Sequence, residues 1–443
     1  MRKVKALPLS HNELFSGELG AKIPYHRMYD QEYCVPAITV FSKKEIELLE
    51  NASKKVDKIF QKTLRFTQRY LPDPALVNQL GVHPALIANA RMEVPYHGVS
   101  RQDWIIQPDG IKLIENNTDT PTGIPETAYL AGAIVERVGG MINPSEAMDE
   151  QIRKSFATLI QYYRQCGFTG QIVFSCYDWH EEDACNTTHL MNLARQAGYP
   201  AIFAPLDKLE VVPNVGLFYE GEQVDIWYRL YPLEYLVHDT DEDGFETGRA
   251  ILDLIEQKKL AIINPVQSII TQSKGFMALI WSLYEKNDQL PSLWNTGAPF
   301  FTDEECETIA NYLLPTYFED TYFRENKVAW VSKAFFGREG KGTLLFDEQG
   351  APSKVSWEHE LDDEEALATR DYYSSQPRIY QKRIKQERME IPTEEGQFNG
   401  YLLIGSFVIG GVFAGILPRV GGEVTGNLAY FIPAGIEENG GAI

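Results

Sequence analysis

The segment at residues 101–122, RQDWIIQPDGIKLIENNTDTPT, constrains the fold most, because its pattern predicts a β-hairpin with a defined register. Strand-like runs flank the sequence PDG at 108–110, which suits a three-residue loop with glycine in the left-handed conformation. Such a loop pairs Gln107 with Ile111. Every later pair along the two strands follows from this first one.

Four polar side chains fall on one face of this predicted hairpin. The register places Asp103 opposite Glu115 and Arg101 opposite Asn117, and the two-residue pleat points all four side chains the same way. Carboxylate and amide oxygens suit Mg²⁺, which is often shared with nucleotide phosphates, and an arginine can stabilise a transferring phosphoryl group. A surface hairpin with solvated charges is the alternative that the spacing leaves open.

A second segment, YLLIGSFVIGGVFAGIL at 401–417, is almost uncharged and nearly long enough to span a membrane. Gly410 and Gly411 interrupt it, and β-branched and aromatic residues flank them, which favours two buried strands joined by a tight turn. We therefore predict a hairpin of a soluble protein, with Pro418 and Arg419 following its second strand.

Length, charge and cysteine usage limit the class of protein. A chain of 443 residues is long enough for two or three domains. Its formal net charge of −21 argues against a general binder of nucleic acid or of anionic membranes. Five scattered cysteines without CxxC spacing indicate reduced thiols. The start MRKVKALPLS lacks an apolar core, so we expect no signal peptide and a cytoplasmic location.

Helical and strand patterns divide the chain. The capping box SKKE begins a predicted helix over 42–70, and ETAYLAGAIVERV at 126–138 predicts a helix beneath the hairpin. Between 170 and 230, apolar strand patterns alternate with a helical pattern, which predicts an open α/β subdomain with a mostly parallel sheet. Its polar loop WHEEDACNTTH contains His180 and His189, whose spacing matches no standard metal motif.

A second β-rich region covers 328–345 and 378–431, separated by the acidic stretch at 357–370, which predicts a solvated loop or helix. Within it, VAWVSKAFFGREGKGTLLF predicts strand, glycine-rich loop, strand. Glycines let backbone amides approach an anion, and basic side chains supply charge; the residues are Gly337, Gly340, Gly342, Lys333, Arg338 and Lys341. A lid over nucleotide phosphates and a flexible surface hairpin both fit. Lys274 begins an apolar helical run and is either a phosphate contact or a solvated lysine.

Four ordered blocks make nearly the whole chain resemble the synthetase domain of the glutathionylspermidine synthetase family: ENNTDT after RQD, KAFFGREG, QSKGFMALIWSL and GGEVTGNLAYFIP. That family consists of ATP-grasp ligases that join a carboxylate to an amine through an acyl phosphate. The resemblance implies an α/β (α+β) chain with an ATP-grasp fold in permuted order and an inserted open α/β (pre-ATP-grasp) subdomain. In this order the metal ligands precede the phosphate-binding lysines.

The resemblance also implies catalytic and metal-binding roles. Arg101 would stabilise the transferring phosphoryl group, and Arg419 would steady the acyl phosphate from a mobile loop. Asp103, Glu115 and Asn117 would hold Mg²⁺.

Further residues would bind ATP and the two substrates. The implied ATP contacts are Arg101 of the hairpin, the phosphate-binding Lys274 and Lys333, and Glu339 and Gly340 of the lid loop. The adenine-binding hinge would be Tyr380, Gln381, Lys382 and Arg383. Thr120 and Thr122 would lie near a thiol-peptide substrate. Glu234, in WYRLYPLEYL, would receive the amine.

We expect three parts: residues 1–167, the N-terminal part of the ATP-grasp unit with the hairpin; 168–262, the open α/β subdomain; and 263–443, the nucleotide-binding part with the lid loop. No amidase domain is expected before them. The loop has GREG where the bifunctional enzymes carry GRCG, and the hinge has YQKRI where theirs is closer to YQQLW. These departures leave the acid and the amine unidentified.

Three functions compete. An ATP- and Mg²⁺-dependent ligase acting on a small-molecule or peptide carboxylate and a (poly)amine uses the hairpin oxygens, the lid loop and the arginines together. A catalytically silent homologue, serving as a nucleotide-binding regulator or scaffold, would be favoured by loss of Glu115, Asn117 or Lys333, and all three are present. A glycosidase using Asp103 and Glu115 as acid and base leaves the glycine-rich loop unused.

Overall fold

The structure is a computed structural model that describes residues 2–107, 110–294, 297–355 and 371–437. The acidic stretch predicted at 357–370 lies outside the described residues, as do Pro108 and Asp109. Within the described ranges no helix is both long enough and apolar enough to cross a membrane. The five cysteines are free thiols.

A six-stranded antiparallel sheet, called the central sheet, carries both predicted hairpins. Its strands are, in spatial order, Tyr430–Phe431, Val412–Gly421, Gly396–Ile409, Val99–Gln107 and Gly110–Asn117, with Arg388–Thr393 also paired to Gly396–Ile409. The second hairpin is confirmed, because Ile409 pairs with Val412 around two glycines whose φ angles are 59° and 80°. The prediction that Pro418 and Arg419 follow the second strand is wrong, since both lie inside it.

The first hairpin does not have the predicted turn. Gln107 pairs with Gly110, whereas the sequence analysis paired it with Ile111. The predicted three-residue loop is therefore wrong by one residue. Taken alone, this error would turn every polar side chain of the hairpin to the opposite face.

A β-bulge restores the predicted register. Trp104 pairs with Leu113 and the next residue, Asp103, pairs with Glu115, so Ile114 is an extra residue without a partner in the opposite strand. Beyond the bulge, Asp103 pairs with Glu115 and Arg101 pairs with Asn117. These two predicted pairs are confirmed.

The longest helix, Lys43–Tyr70, packs on the central sheet. Its start is the predicted capping box, in which Ser42 N donates to Glu45 Oε2 at 2.7 Å and Glu45 N donates to Ser42 Oγ at 3.2 Å. Ser53 Oγ lies 2.7 Å from Ser406 Oγ, and Gln102 Nε2 donates to the Ser53 carbonyl at 3.2 Å. The helix therefore fixes the face of the sheet opposite the hairpin carboxylates.

An open sheet forms the predicted α/β subdomain. Its strands are, in spatial order, Glu210–Val212, Gly216–Tyr219, Glu222–Arg229, Gln171–Cys176 and Ala201–Pro205, with Ala261–Ile263 paired to Glu222–Arg229. The pairs among the last four of these strands are parallel, and the first two strands form an antiparallel edge. The mostly parallel sheet is confirmed. The predicted domain boundaries stay a prediction.

A five-stranded antiparallel sheet, called the lid sheet, holds the glycine-rich loop at 335–343. Its strands are, in spatial order, Thr316–Tyr317, Arg378–Lys382, Trp330–Ala334, Leu344–Phe346 and Pro352–Val355. The loop joins Trp330–Ala334 to Leu344–Phe346, so the predicted order of strand, loop and strand is confirmed.

The remaining strands form a small mixed sheet and a short ribbon. They are Val4–Ala6, Ala37–Phe41, Ala434–Glu437 and Met141–Ile142, and Arg27–Met28 with Gln31–Glu32. The other helices are His11–Leu14, Glu18–Lys22, Asp73–Leu80, Ile87–Ala90, Ala131–Val138 (continuing a π-helical turn Glu126–Leu130), Met148–Gln165, Glu181–Gln196, Leu233–Leu236, Thr247–Glu256, Ser268–Gln272, Lys274–Glu285, Leu290–Trp294, Asp303–Tyr312 and Thr321–Asn326. Short 3-10 turns are Pro24–His26, Pro84–Leu86 and Leu206–Lys208.

Candidate active site

A cavity of about 600 Å³ is lined by residues of the central, lid and open sheets. Most of the predicted site residues line it: Arg101, Asp103, Glu115, Asn117, Thr120, Thr122, Lys274, Lys333, Glu339, Gly340, Gln381, Lys382, Arg383 and Arg419. Tyr380 and Glu234 do not line it. The structure thus brings together residues that are up to about three hundred positions apart in the chain.

Asp103 lies between two guanidinium groups. Its Oδ1 accepts a hydrogen bond from Arg101 Nε, and its Oδ2 accepts one from Arg419 Nη2, both at 2.9 Å. Burial opposes ionisation of this carboxyl, but the two arginines outweigh burial and hold the pKa of Asp103 below its usual range. Asp103 is therefore an ionised carboxylate at neutral pH.

Arg419 does not lie on a mobile loop, as the sequence analysis expected. It belongs to the strand Val412–Gly421, where it pairs with Leu403 on one side and with Phe431 on the other. Backbone pairing on both sides, together with the ion pair to Asp103, fixes its position.

The second carboxylate of the hairpin, Glu115, is bound by Lys274. Lys274 Nζ donates to Glu115 Oε1 at 2.9 Å and to the Gly337 carbonyl at 2.6 Å. Lys274 is the first residue of its helix, as predicted, and only 5% of it is exposed. The alternative that Lys274 is a solvated lysine is therefore wrong. Its ammonium group connects the hairpin to the glycine-rich loop.

Lys333 connects the hairpin to the lid sheet. Its Nζ donates at 2.9 Å both to Gln381 Oε1 and to the carbonyl of Ile114, the residue of the β-bulge. Burial lowers the pKa of Lys333 to about 8. Gln381 is oriented in turn, because its Nε2 donates to Thr316 Oγ1 at 3.2 Å.

The glycine-rich loop approaches the backbone that follows Arg419. Gly340 has φ 71°, and a Cβ at this position would lie 2.6 Å from Val424 Cγ1 and 2.8 Å from the Thr425 carbonyl. Only glycine fits such a contact without a shift. The preceding Glu339 also has a positive φ, 52°, so the chain turns tightly here.

Arg338 holds two of the predicted substrate residues. Its Nε donates to Glu234 Oε1 at 2.7 Å, and its Nη1 donates to Thr120 Oγ1 at 3.1 Å. Glu234 is buried. Thr122 contributes its carbonyl, which accepts a hydrogen bond from Arg101 Nη1 at 2.9 Å.

The predicted hinge contributes three of its four residues to the cavity. Gln381 lines the cavity and Tyr380 does not, because side chains of these neighbouring residues in the strand Arg378–Lys382 point to opposite faces. Lys382, at the end of the strand, and Arg383 also line it. The tyrosine side chain is thus separated from the rest of the predicted ATP contacts.

The cavity is cationic although the chain is acidic. Its lining includes six carboxylates and eight basic side chains, the latter being Arg101, Lys274, Lys333, Arg338, Lys341, Lys382, Arg383 and Arg419. Within the described ranges, no three His, Cys, Asp or Glu side chains converge as a metal site. The predicted Mg²⁺ set therefore depends on the amide of Asn117 as a third protein ligand.

Over residues 17–437 the sequence matches the family described as glutathionylspermidine synthase preATP-grasp. The chain belongs to this family. It is 24% identical over 351 residues to a Haemophilus influenzae protein provisionally named an acid–amine ligase, covering 77% of this chain and 75% of the relative. The predicted resemblance is therefore confirmed.

A solved structure supports the fold of this member of the glutathionylspermidine synthase preATP-grasp family. The apo form of a glutathione synthetase-like effector from Globodera pallida superimposes with a TM-score of 0.55. The alignment covers 90% of this chain and 88% of the effector at 12% sequence identity. The α/β fold class is confirmed, and the permuted order of the elements stays a prediction.

Sequence analysis missed one wall of the cavity in this family member. The loop after the strand Gln171–Cys176 brings Tyr177, Trp179 and His180 to the lining, and the first turn of the helix Glu181–Gln196 brings Glu182 and Asp183. The polar loop predicted here is therefore wrong from Glu181 onward, where the chain is helical. A signal was present, because ligands of open α/β sheets bind beyond the carboxyl ends of the parallel strands.

A buried ion pair joins the hairpin to the open sheet. Asp119 and Arg229 are fully buried, and Arg229 Nη2 donates to Asp119 Oδ1 at 2.5 Å. Asp119 Oδ2 also accepts from Leu233 N at 3.0 Å, and its Oδ1 accepts from Ser268 Oγ at 3.1 Å. One carboxylate thus sets the position of three separate elements around the cavity.

Proposed function

We propose that the protein is an ATP- and Mg²⁺-dependent carboxylate–amine ligase that forms an amide bond through an acyl phosphate. The observation that carries the proposal is the single cavity in which two carboxylates and an amide face four buried or half-buried cations. Membership of the glutathionylspermidine synthase preATP-grasp family and the name of the Haemophilus relative support the same class of reaction. A cytoplasmic location stays a prediction.

The cations fit a triphosphate. We name Arg101, Lys274, Lys333 and Arg419 the cationic wall; all four line the cavity and three are at most 9% exposed. Buried cations are unfavourable unless anions neutralise them, and the carboxylates Asp103 and Glu115 do so only in part. Lys274 and Lys333 would bind phosphate oxygens, with Gln381 holding Lys333 in place.

The donor set of the hairpin fits Mg²⁺. Asp103 is kept ionised by its two arginines, and Glu115 and Asn117 supply further oxygen atoms of the kind that this ion prefers. When bound, the ion would neutralise phosphate charge during transfer.

Arg101 and Arg419 would act on the reacting groups. A carboxylate is a poor acyl donor, so its oxygen must first attack the γ-phosphorus of ATP, with ADP as the leaving group. The amine nitrogen then attacks the acyl carbon, phosphate leaves, and the nitrogen gives up a proton. Both steps develop negative charge on oxygen, which the two guanidinium groups beside Asp103 are placed to stabilise.

The glycine-rich loop would exclude water from the acyl phosphate. Gly337 accepts the hydrogen bond of Lys274, and Gly340 contacts the segment that follows Arg419. The loop therefore contacts Lys274 directly and also contacts the segment next to Arg419; Lys274 and Arg419 are two members of the cationic wall. Closing a site in this way protects an intermediate that water would hydrolyse.

The two other functions fit less well. A glycosidase acid needs a raised pKa, whereas Asp103 has a lowered one and both its oxygens are bound by arginines. A catalytically silent nucleotide binder would not need Asp103 held between Arg101 and Arg419.

The test is product formation from ATP, Mg²⁺ and pools of peptides and polyamines, followed by mass spectrometry. We expect a condensed product, with ADP and phosphate released only when both an acid and an amine are present. ATP hydrolysis indifferent to both, or transfer of phosphate to a hydroxyl group, would refute the ligase proposal.

A further inference from the structure

The wall that the open sheet contributes has no part in the phosphoryl chemistry proposed above. We name Tyr177, Trp179, Tyr231 and Tyr235 the aromatic wall; all four line the cavity. Their rings are continuous, with centroid distances of 5.6 Å for Tyr177–Trp179, 5.9 Å for Tyr177–Tyr231 and 6.4 Å for Tyr231–Tyr235.

Hydrogen bonds fix two rings of the aromatic wall. Tyr231 Oη donates to Asp239 Oδ1 at 2.7 Å, and Tyr235 Oη lies 2.9 Å from Tyr373 Oη. Trp179, by contrast, is 74% exposed, so core packing does not explain an indole at this position. A surface of fixed and exposed rings is suited to contact a ligand.

The charge beside the aromatic wall is opposite to that of the cationic wall. Asp183 lines the cavity beside the aromatic wall, and His180 Nδ1 lies 3.5 Å from Asp183 Oδ1. Arg338 Cζ lies 5.8 Å from the Tyr235 centroid, but its Nε is bound by Glu234. Aromatic faces together with carboxylates favour an ammonium group over an anion.

Glu234 is poorly placed for this task. One of its oxygens is bound to Arg338, and the residue does not line the cavity. Its other oxygen has no hydrogen-bond partner within the described residues, but it is buried outside the cavity lining. The aromatic wall and Asp183, by contrast, line the cavity, where an amine can contact them directly.

We propose that the aromatic wall, with Asp183, binds the protonated end of the amine substrate. This inference rests on the proposed ligase function. A protonated nitrogen has no lone pair for attack, so the substrate would carry a second, neutral amino group that extends toward Arg101 and Arg419. Glu234 would act as a positioning residue for Arg338 and would not bind the amine.

Calorimetry on the full chain without ATP tests the proposal, with 1,4-diaminobutane as the probe and 1,4-butanediol as its uncharged counterpart. We expect the diamine to bind and the diol not to bind. Trp179→Ala and Asp183→Asn should each weaken diamine binding by roughly fivefold, about the loss of one cation–π or ionic contact. Glu234→Gln should leave it unchanged.

Matched controls replace one aromatic and one acidic residue that do not line the cavity. Tyr70 is 70% exposed and Asp253 pairs with Arg249 within one helix, so Tyr70→Ala and Asp253→Asn should leave binding unchanged. Unchanged binding in the Trp179 and Asp183 variants, equal binding of the diol, or no binding of the diamine would overturn the proposal. So would Trp179→Ala weakening the binding of glutathione, an anionic peptide, in place of the diamine.

The binding test and the turnover test fail separately. Diamine binding that depends on Trp179, without any ATP-dependent product, would contradict the ligase and leave the aromatic wall as an amine site. If product forms and the KM for the amine is the same in wild type and in Trp179→Ala, the aromatic wall does not bind the amine. The ligase proposal would then stand without it.

Discussion

The two walls of the cavity are built differently. Arg101, Lys274 and Lys333 of the cationic wall are at most 9% exposed and are bound by groups from other elements. Trp179 of the aromatic wall is 74% exposed and lies on a loop. Buried charges that are bound by groups from other elements keep one geometry, and they would suit the proposed phosphoryl transfer, which is the same for every substrate. An exposed aromatic surface tolerates substitution, so substrate choice can change without altering the transfer step.

Removing the buried ion pair between Asp119 and Arg229, which joins the hairpin to the open sheet, should give the largest effect on stability. Asp119→Ala leaves Arg229 fully buried without its carboxylate, and we expect a loss of about 3–5 kcal/mol in the free energy of unfolding. Urea denaturation measures this loss. Asp253→Ala, in a half-exposed pair on one helix, is the control and should cost less than about 1 kcal/mol. Equal losses in both variants would mean that the buried pair does not hold the walls together.

Within the cationic wall, Arg101→Ala should lower ADP release by about 10²–10³-fold while ATP binding stays largely intact, because the guanidinium acts on charge that develops during transfer. A coupled assay for ADP and calorimetry with ATP separate the two quantities. Arg249→Ala, on a surface helix, should change neither. Normal ADP release by the Arg101→Ala variant would show that this member of the cationic wall has no catalytic role. The two walls would then not differ in the way proposed.

Lys333→Ala should weaken ATP binding by about tenfold to thirtyfold, since it removes one charged hydrogen bond to phosphate. We expect the protein to stay folded, which circular dichroism checks. Lys333→Arg keeps the charge and should recover most of the affinity. ATP affinity that is the same in the folded alanine variant and in wild type would contradict the role of Lys333.

The pH dependence should be the smallest of these effects. Burial lowers the pKa of Lys333 to about 8, so the side chain loses its charge as the pH rises through that value. ATP affinity should therefore fall by about tenfold between pH 7 and pH 9 if the charged form is the one that binds. Glu182, whose pKa burial raises to about 8, gains negative charge over the same range and contributes in the same direction.

Two variants separate these contributions. Lys333→Arg should flatten most of the pH profile, and Glu182→Gln should flatten the remainder. A profile that is identical in wild type and in Lys333→Arg would show that the lysine does not titrate in this range.

The sequence predicted the cationic wall better than the aromatic wall, for physical reasons. Asp103 and Glu115 belong to one hairpin, where a local rule of alternation decides which side chains meet. Lys274 and the glycine-rich loop were identified from their local patterns and from the family resemblance. Tyr177 and Tyr231 come from different loops of the open sheet, and no local periodicity connects them.

Some details could not be obtained from sequence. The bulge at Ile114 accompanies a hydrogen bond to Lys333, a residue more than two hundred positions away, so no local signal reports it. Arg419 was expected on a loop because nothing local shows that Phe431 pairs with it. The family resemblance implied that Glu234 binds an amine, and no local signal shows that Arg338, in a distant segment, pairs with it.

The bulge at Ile114 also divides the hairpin into two stretches with different tolerance to changes in length. Between the bulge and the turn, gaining or losing residues in pairs leaves Asp103 and Glu115 opposite each other, because their alignment is set beyond the bulge. One residue inserted between Glu115 and Asn117 would turn the amide away from the cavity. Relatives with longer or shorter hairpin tips are therefore compatible with an unchanged arrangement of Asp103, Glu115 and Asn117, whereas single-residue insertions past Ile114 are not.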